Sequence, residues 1–447
     1  MYRLKMNKFI FWILFLLFPQ IVFAVPAIQH WTTGNGAKVY FVPAKEIPIV
    51  DVRVVFDAGA ARDAGKPGLA ALTNSLLAEG AGKLDADMIA DRLDNVGALL
   101  GNGSLRDMAW LSVRSLSDEE VLRNTIGLMS LILSKPTFPE SSFKRQQKRM
   151  LVGLKAIMQD PSSLAEKAFM KAVYGEHPYA SPPDGTEDSL NSLTVDDVKQ
   201  FHEKFYVANN AVIAIVGDIA RFKAEALAEV ITGGIKSGEK APLLPEVKET
   251  ESQVVHVDFP SKQTHLWVGQ RGMKRTDKDY YPLYVGNHAF GGSGLVSLLS
   301  DEVREKRGYA YSVYSYFSPM RAEGPFQMAL QTKNEHALDA FKVLRDTTKR
   351  YISEGISDTQ LTASKQNITG GFALRLDSNK KIAEYMTMIG FYGLPLDYLN
   401  NFNARIESVT AESVKDAFNR RVKPESMVTV IVGPDNSPVA ANSASKN

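Results

Sequence analysis

Cysteine does not occur among the 447 residues. That excludes disulfides, thiolate metal sites and cysteine nucleophiles. An exported chain without cysteine is compatible with a bacterial periplasm, but the absence alone does not fix the compartment. Histidine is scarce: His30, His177, His202, His256, His265, His288 and His336 are the full set. No two lie three to five residues apart, so the paired imidazoles that hold zinc on one helix face are missing. Neither charge dominates, with 52 Lys and Arg against 50 Asp and Glu. This balance gives no electrostatic case for nucleic acid or an anionic membrane. Beyond the N-terminus no run is apolar enough to cross a bilayer. No Gly-x-Ser-x-Gly or paired-acid motif supports a serine or aspartate hydrolase. Phe290-Gly291-Gly292-Ser293-Gly294 has glycines but no following Lys-Ser/Thr, so it is read as a hinge or close-packing loop, not a phosphate cradle.

The N-terminus carries what the rest lacks. Arg3, Lys5 and Lys8 precede an apolar run from Phe9 to Phe18, Pro19 breaks it, and Val22-Phe23-Ala24 offers small residues for cleavage. This is the order of a secretory signal, assigned to residues 1–24, with periplasmic localisation expected. An uncleaved inner-membrane anchor is the alternative. Without residues 1–24 the 52 basic residues fall by three against 50 acidic, a balance of about −1. The remaining length predicts at least two domains.

An internal repeat supports that division. Thr194, Val198, Lys199, Val212, Ile215, Val216 and Gly217 recur at a fixed offset as Thr410, Val414, Lys415, Val428, Ile431, Val432 and Gly433. In both copies a Thr N-cap opens a helix that feeds a β-branched strand. Strands are expected at 37–43 and 49–56, two strands within 97–116, and helices at 66–79, 86–96, 118–134, 139–158 and 162–173. The second half is expected to repeat the order, with a strand at 264–270, a helix over 281–306 and strands at 309–317 and 324–331. Residues 25–232 form the first domain, 233–252 an aperiodic linker, 253–435 the second domain and 436–447 a disordered tail. Helices mixed with hairpin-linked strands give an α+β class. His202, beside Glu203, is read as solvated helix surface, and His177-Pro178-Tyr179 as structural.

Gly68 to Gly80 reads as an amphipathic helix after a loop: Gly68-Leu69-Ala70-Ala71-Leu72-Thr73-Asn74-Ser75-Leu76-Leu77-Ala78-Glu79-Gly80. It resembles the zinc helix of the insulinase or pitrilysin-type (M16) metallopeptidases, where His-x-x-Glu-His follows a similar Gly-Leu-Ala start. In register, the two histidines fall on Ala71 and Ser75 and the general-base glutamate on Asn74. The third ligand, a glutamate on a later helix, falls at Gly153 or a neighbour, and no carboxylate occurs between Glu140 and Asp160. A methyl, an amide and a hydroxyl neither bind Zn²⁺ as imidazole does nor activate its water. No zinc is expected on this chain.

Val303-Arg304-Glu305-Lys306-Arg307-Gly308-Tyr309-Ala310-Tyr311-Ser312-Val313 resembles the family's Arg-x-x-x-Gly-x-x-Tyr region. The resemblance implies that Arg304 and Tyr311 contact substrate near the zinc of another half. A guanidinium holds a carbonyl or carboxylate in a fixed fork, and a phenol stabilises an oxyanion. Arg307, one turn from Arg304, is expected to matter less. The sequence departs from the family at Ser297-Leu298-Leu299, which lacks an arginine, and at Tyr309, where leucine is usual. The resemblance spans about Gln29 to Gly433 and implies two similar tandem α+β domains facing one another. It further implies a heterodimer: a zinc-bearing M16 homologue as partner, this chain inactive alone, and peptides or unfolded polypeptides as substrates. The alternative is a catalytically inactive scaffold that binds peptides by strand addition at an edge within Leu99–Val113.

Overall fold

The computed structural model describes residues 27–434; the signal and tail expected at 1–24 and 436–447 lie outside them. The strands are β1 (Gln29–Thr32), β2 (Lys38–Pro43), β3 (Ile49–Phe56), β4 (Gly80–Ala81), β5 (Leu84–Asp85), β6 (Leu99–Ser104), β7 (Ala109–Leu116), β8 (Ala211–Gly217), β9 (Gln253–Asp258), β10 (Gln263–Arg271), β11 (Ala310–Phe317), β12 (Pro325–Lys333) and β13 (Val428–Gly433). One sheet runs β1-β2-β8-β3-β7-β6 and the other β11-β12-β10-β13-β9. Five positions correspond. In each sheet the β-branched repeat strand, β8 or β13, pairs parallel with β2 or β9 and antiparallel with β3 or β10. In each, a hairpin then leads to a free edge, β6 or β11. The repeat legible in the sequence is thus a repeat of sheet topology.

The helices before β8 and β13, Val195–Phe205 and Ala411–Arg421, both open with capping boxes, Thr194 with Asp197 and Thr410 with Ser413. Each cap satisfies two otherwise orphaned N–H groups. Both strands are buried on both faces, which is why they read as unbroken apolar runs.

Each half lends a helix to the other's sheet. Pro161–Tyr174 packs on β9, β10 and β13, and Asn379–Tyr392 on β2, β3 and β8. Phe169 lies 5.8 Å from the Trp267 ring, and Met386 joins Tyr40 and Val212 in one buried cluster. Fully burying a side chain such as Phe169 contributes about 1.5–3 kcal/mol, so the exchange holds the halves firmly. Gly390 makes the approach possible, because a Cβ there would fall 2.4 Å from the Tyr40 ring.

Three elements differ from the sequence reading. The helix expected over 281–306 is broken: an α-helix at Tyr280–Asn287, wide turns at His288–Gly292 and Ser300–Glu305, and a tight turn at Gly294–Val296. Gly291 packs against β11, where a Cβ would lie 2.3 Å from Ser315 Oγ, and Gly294 adopts φ +64°, as a close-packing loop requires. The helix expected from residue 66 starts at Leu69, after Gly68 at φ 90°. His202 is buried, not solvated, and its Nε2 lies 3.0 Å from the Leu133 carbonyl oxygen. The residues 233–252 have no regular structure, but they are pinned: Ala208 N–H donates to Lys236 O, and Val247 is buried against the second sheet.

Candidate functional site

Helix Leu69–Leu76 takes its shape from the loop before it. The Asp63 carboxylate accepts from the Gly68 and Ala70 N–H groups at 2.9 and 2.8 Å. Burial pushes Asp63 up to about 7, against the pull of those two bonds. Leu72 and Leu76 face the core, while Ala71 and Ser75 are half-buried. Asn74 is 1% exposed. Its Nδ2 donates to the Trp110 carbonyl at 3.0 Å and the Tyr206 hydroxyl at 3.3 Å, and its Oδ1 accepts from Asn102 at 3.1 Å. Ser75 Oγ turns back to the Leu72 carbonyl at 2.8 Å. Gly153 is exposed on helix Glu140–Ile157, which packs against this one, and a Cβ there would meet nothing. The neighbouring carboxylate, Glu79, already accepts from Arg145 and Gln146.

These residues do not fit a zinc ion. The position of the expected general base holds an amide whose donors and acceptor are all in use. Among the described residues, no three of His, Cys, Asp and Glu cluster as metal ligands would. The amide instead continues into a buried chain. Tyr206, held well above the usual phenol range by burial, stacks on His202 with centroids 4.9 Å apart. Burial pulls His202 down to about 4. His177 also serves structure: its Nδ1 accepts from Tyr179 N–H at 3.1 Å, and its Nε2 lies 3.0 Å from the Pro245 carbonyl oxygen.

Arg304 and Tyr311 come together in the second half. Arg304 lies near the end of the turn Ser300–Glu305, and Gly308, at φ 65°, closes it by donating to the Arg304 carbonyl at 2.8 Å. The chain then enters β11, where a bulge between Ala310 and Val313 takes Tyr311 out of the ladder. Tyr311 is 80% exposed. The Arg304 guanidinium lies 5.1 Å from its ring centroid, and Arg304 Nε is 3.6 Å from Glu305 Oε1. A half-buried cation beside an exposed phenol, at a free sheet edge, leaves the phenol and the outer side of the guanidinium open to a ligand.

Glu302, which the sequence reading missed, fixes this turn. Its buried carboxylate accepts from Lys306 at 3.0 Å, Arg307 at 2.7 Å and Arg350 at 2.8 Å. Hydrogen bonds from these cations overcome its burial and hold it down at about 2. Arg307 also donates to the Glu302 carbonyl at 2.6 Å. It is therefore a staple of the turn, not the bystander its spacing suggests. The i, i+4 spacing of Glu302 and Lys306 was a usable signal; Arg350, far along the chain, was not. Tyr309, at the usual leucine position, stacks on His336 with centroids 5.3 Å apart. The first-half helix and the second-half turn each pack chiefly within their own half.

Known proteins give this arrangement a family. Residues 39–187 match the model described as Insulinase (Peptidase family M16), and residues 192–368 match Peptidase M16 inactive domain. A crystal structure described as the peptidase M16 inactive domain from Pseudomonas fluorescens is 40% identical, covers 91% of this chain and 98% of its own, and superposes with a TM-score of 0.88. The chain belongs to the M16 peptidase family. An "Uncharacterized zinc protease" of Streptomyces coelicolor is 27% identical over 361 residues, 77% of each chain. A "Non-peptidase homolog YmxG" of Helicobacter pylori is 22% identical over 408 residues, 89% of this chain and 92% of its own. M16 relatives thus include chains described as proteases and one described as a non-peptidase. This member has two tandem M16 domains, sheets flanked by helices, as the sequence led us to expect. Among the described residues no helix is long and apolar enough to cross a membrane.

Proposed function

We propose that this M16 chain is the non-zinc subunit of a heterodimeric, exported peptidase. A zinc-bearing M16 homologue would supply the metal and the general base. Arg304 and Tyr311 would enter that partner's active site, the guanidinium holding a substrate carbonyl and the phenol stabilising the oxyanion. Peptides or unfolded polypeptides are the substrates of this reading, and the periplasm is its compartment after removal of residues 1–24. One contrast supports it above all. Asn74 is locked into a buried hydrogen-bond network where a general base would stand, while Arg304 and Tyr311 remain assembled and open. This chain alone is inactive in this reading and holds no zinc.

Mixing tests it. The purified chain should contain less than stoichiometric zinc by elemental analysis and cleave no peptide. Chelator-sensitive cleavage should appear on adding a zinc-bearing M16 homologue encoded beside it. One tight zinc per chain, or robust cleavage by the chain alone, would sink the proposal. A second reading, an inactive scaffold that captures peptides by strand addition, is favoured by one feature. β6 is a free edge whose Leu99 is 64% exposed. Peptide binding without any activating partner would favour it.

A further inference from the structure

Arg106, at the tip of the β6–β7 hairpin, faces a cleft unrelated to the Arg304 turn. The cleft has about 160 Å³ of room and lies between helix Glu140–Ile157, helix Pro161–Tyr174 and the turn 180–185. At about 10–15 Å³ of such room for one water, that holds several waters or one small ligand. One terminal nitrogen of Arg106 donates to the carbonyls of Tyr179 and, at 2.7 Å, Ser181. These bonds fix the plane of the guanidinium. Its other N–H groups meet no acceptor, and no carboxylate lies within 4.0 Å of it, among the described residues.

Of the acids nearby, Asp63 and Asp107 are committed elsewhere, and Glu166 attracts the guanidinium only from beyond 4.0 Å. Asp63 serves Gly68 and Ala70, and Asp107 accepts from the Tyr179 and Tyr392 hydroxyls and the Arg321 N–H. Enclosure pulls the Arg106 guanidinium below its ordinary value. An enclosed cation without a carboxylate is costly unless an anion completes it. The Ser181 hydroxyl is also buried with no partner. Leu154, Ile157, Met170 and Pro182 make an apolar wall, Lys167 adds a second cation, and Glu166 and Asp184 stand exposed in the lining.

We propose that this cleft binds an α-carboxylate flanked by an aliphatic side chain. Arg106 takes the carboxylate in its free N–H fork, and Leu154, Ile157 and Met170 take the side chain. Two sources carry this chemistry. A free aliphatic amino acid would set its ammonium toward Glu166; the carboxyl end of a peptide would continue outward from the cleft. The site needs neither a zinc partner nor the Arg304–Tyr311 pair.

Titration calorimetry on the full chain with L-leucine, Ala-Ala-Leu and Ala-Ala-Leu amide tests it. At least one acid should bind, and the amide should bind about tenfold weaker or worse. Leucine binding weakened by Glu166→Gln assigns the free amino acid; tripeptide binding indifferent to Glu166→Gln assigns the peptide end. Arg106→Gln should abolish binding. Because Arg106 also holds the 179–181 turn, Ile157→Trp is the second variant: it fills the cleft without touching that turn and should also abolish binding at an unchanged unfolding temperature. No binding of either acid to the folded wild type, equal binding of the amide, or undiminished binding by Ile157→Trp overturns the proposal.

Discussion

The two halves share five strand positions, yet the first keeps its helix after β3 closed while the second holds an open turn before β11. In the first half, helix Leu69–Leu76 is tied through Asn74 to β6, β7 and Tyr206, and onward by stacking to His202. In the second, the turn before β11 is just as firmly held, by Glu302 and three cations, but its product is outward: Tyr311 bulges from a free edge with Arg304 beside it. The physical difference lies in where the hydrogen bonds end. Asn74 spends its amide on its own fold. Glu302 spends its carboxylate on neighbours and leaves Arg304 and Tyr311 available. Similar topology therefore does not imply similar chemistry, because function resides in a few side chains at the edges.

The sharpest way to break this contrast is to remove the open pair. In a complex reconstituted with a zinc-bearing homologue, Tyr311→Phe should cut turnover by roughly 10²–10³-fold and Arg304→Ala by roughly 10–10²-fold, with subunit association unchanged. Equal turnover in wild type and both variants would make the pair structural.

The closed half should fail differently. Asn74→Glu sets a carboxylate against the Trp110 carbonyl and loses the donors to it and to Tyr206. Denaturant unfolding should show a loss of about 2–4 kcal/mol. An unchanged midpoint would mean that the network does not hold the helix.

His202 extends that test to pH. Its folded value, about 4, is below the ordinary 6.5, so the unfolded chain takes the proton first. Stability should be full above about 6.5 and fall as pH drops toward 4, by up to roughly 3 kcal/mol. His202→Gln, able to keep a donor to the Leu133 carbonyl, should flatten that slope; an identical slope would place the titration elsewhere.

The smallest expected effect concerns the staple. Glu302 is held near 2, below the ordinary 4.5, so its contribution is present above about 4.5 and is lost as pH falls toward 2. The stability gap between wild type and Glu302→Gln should close over that range. Arg307→Ala should loosen the same turn and lower turnover modestly, by less than Arg304→Ala does. A gap that does not narrow with acid would separate Glu302 from the turn.

Much of this was legible in the chain itself. Thr194 and Thr410, each followed by a helix and a β-branched strand, announced the duplicated unit because capping and β-branching are local preferences. Ala71, Asn74 and Ser75 announced a helix without the family's zinc ligands, because ligand atoms are properties of residue types. The broken helix over 281–306 was half legible: the glycines of 290–294 already read as a hinge or close-packing loop, and Gly291 against Ser315, brought close by the fold, shows what that opening is for. His202 was misjudged because the polar Glu203 beside it suggested solvent, while its actual partner is the Leu133 carbonyl.

By itself the sequence determined most of the strands of the two sheets, though not β1 or β9, and with them the repeat, the family and the residue types that zinc would need. Only the tertiary structure decided which side chains are spent on the fold and which are left open. Asn74 meets Trp110 and Tyr206, Glu302 meets Arg350, and Arg106 faces its cleft through contacts between residues distant in the chain. Local preferences are written in neighbouring residues, but burial and hydrogen-bond satisfaction are settled only when distant segments pack together.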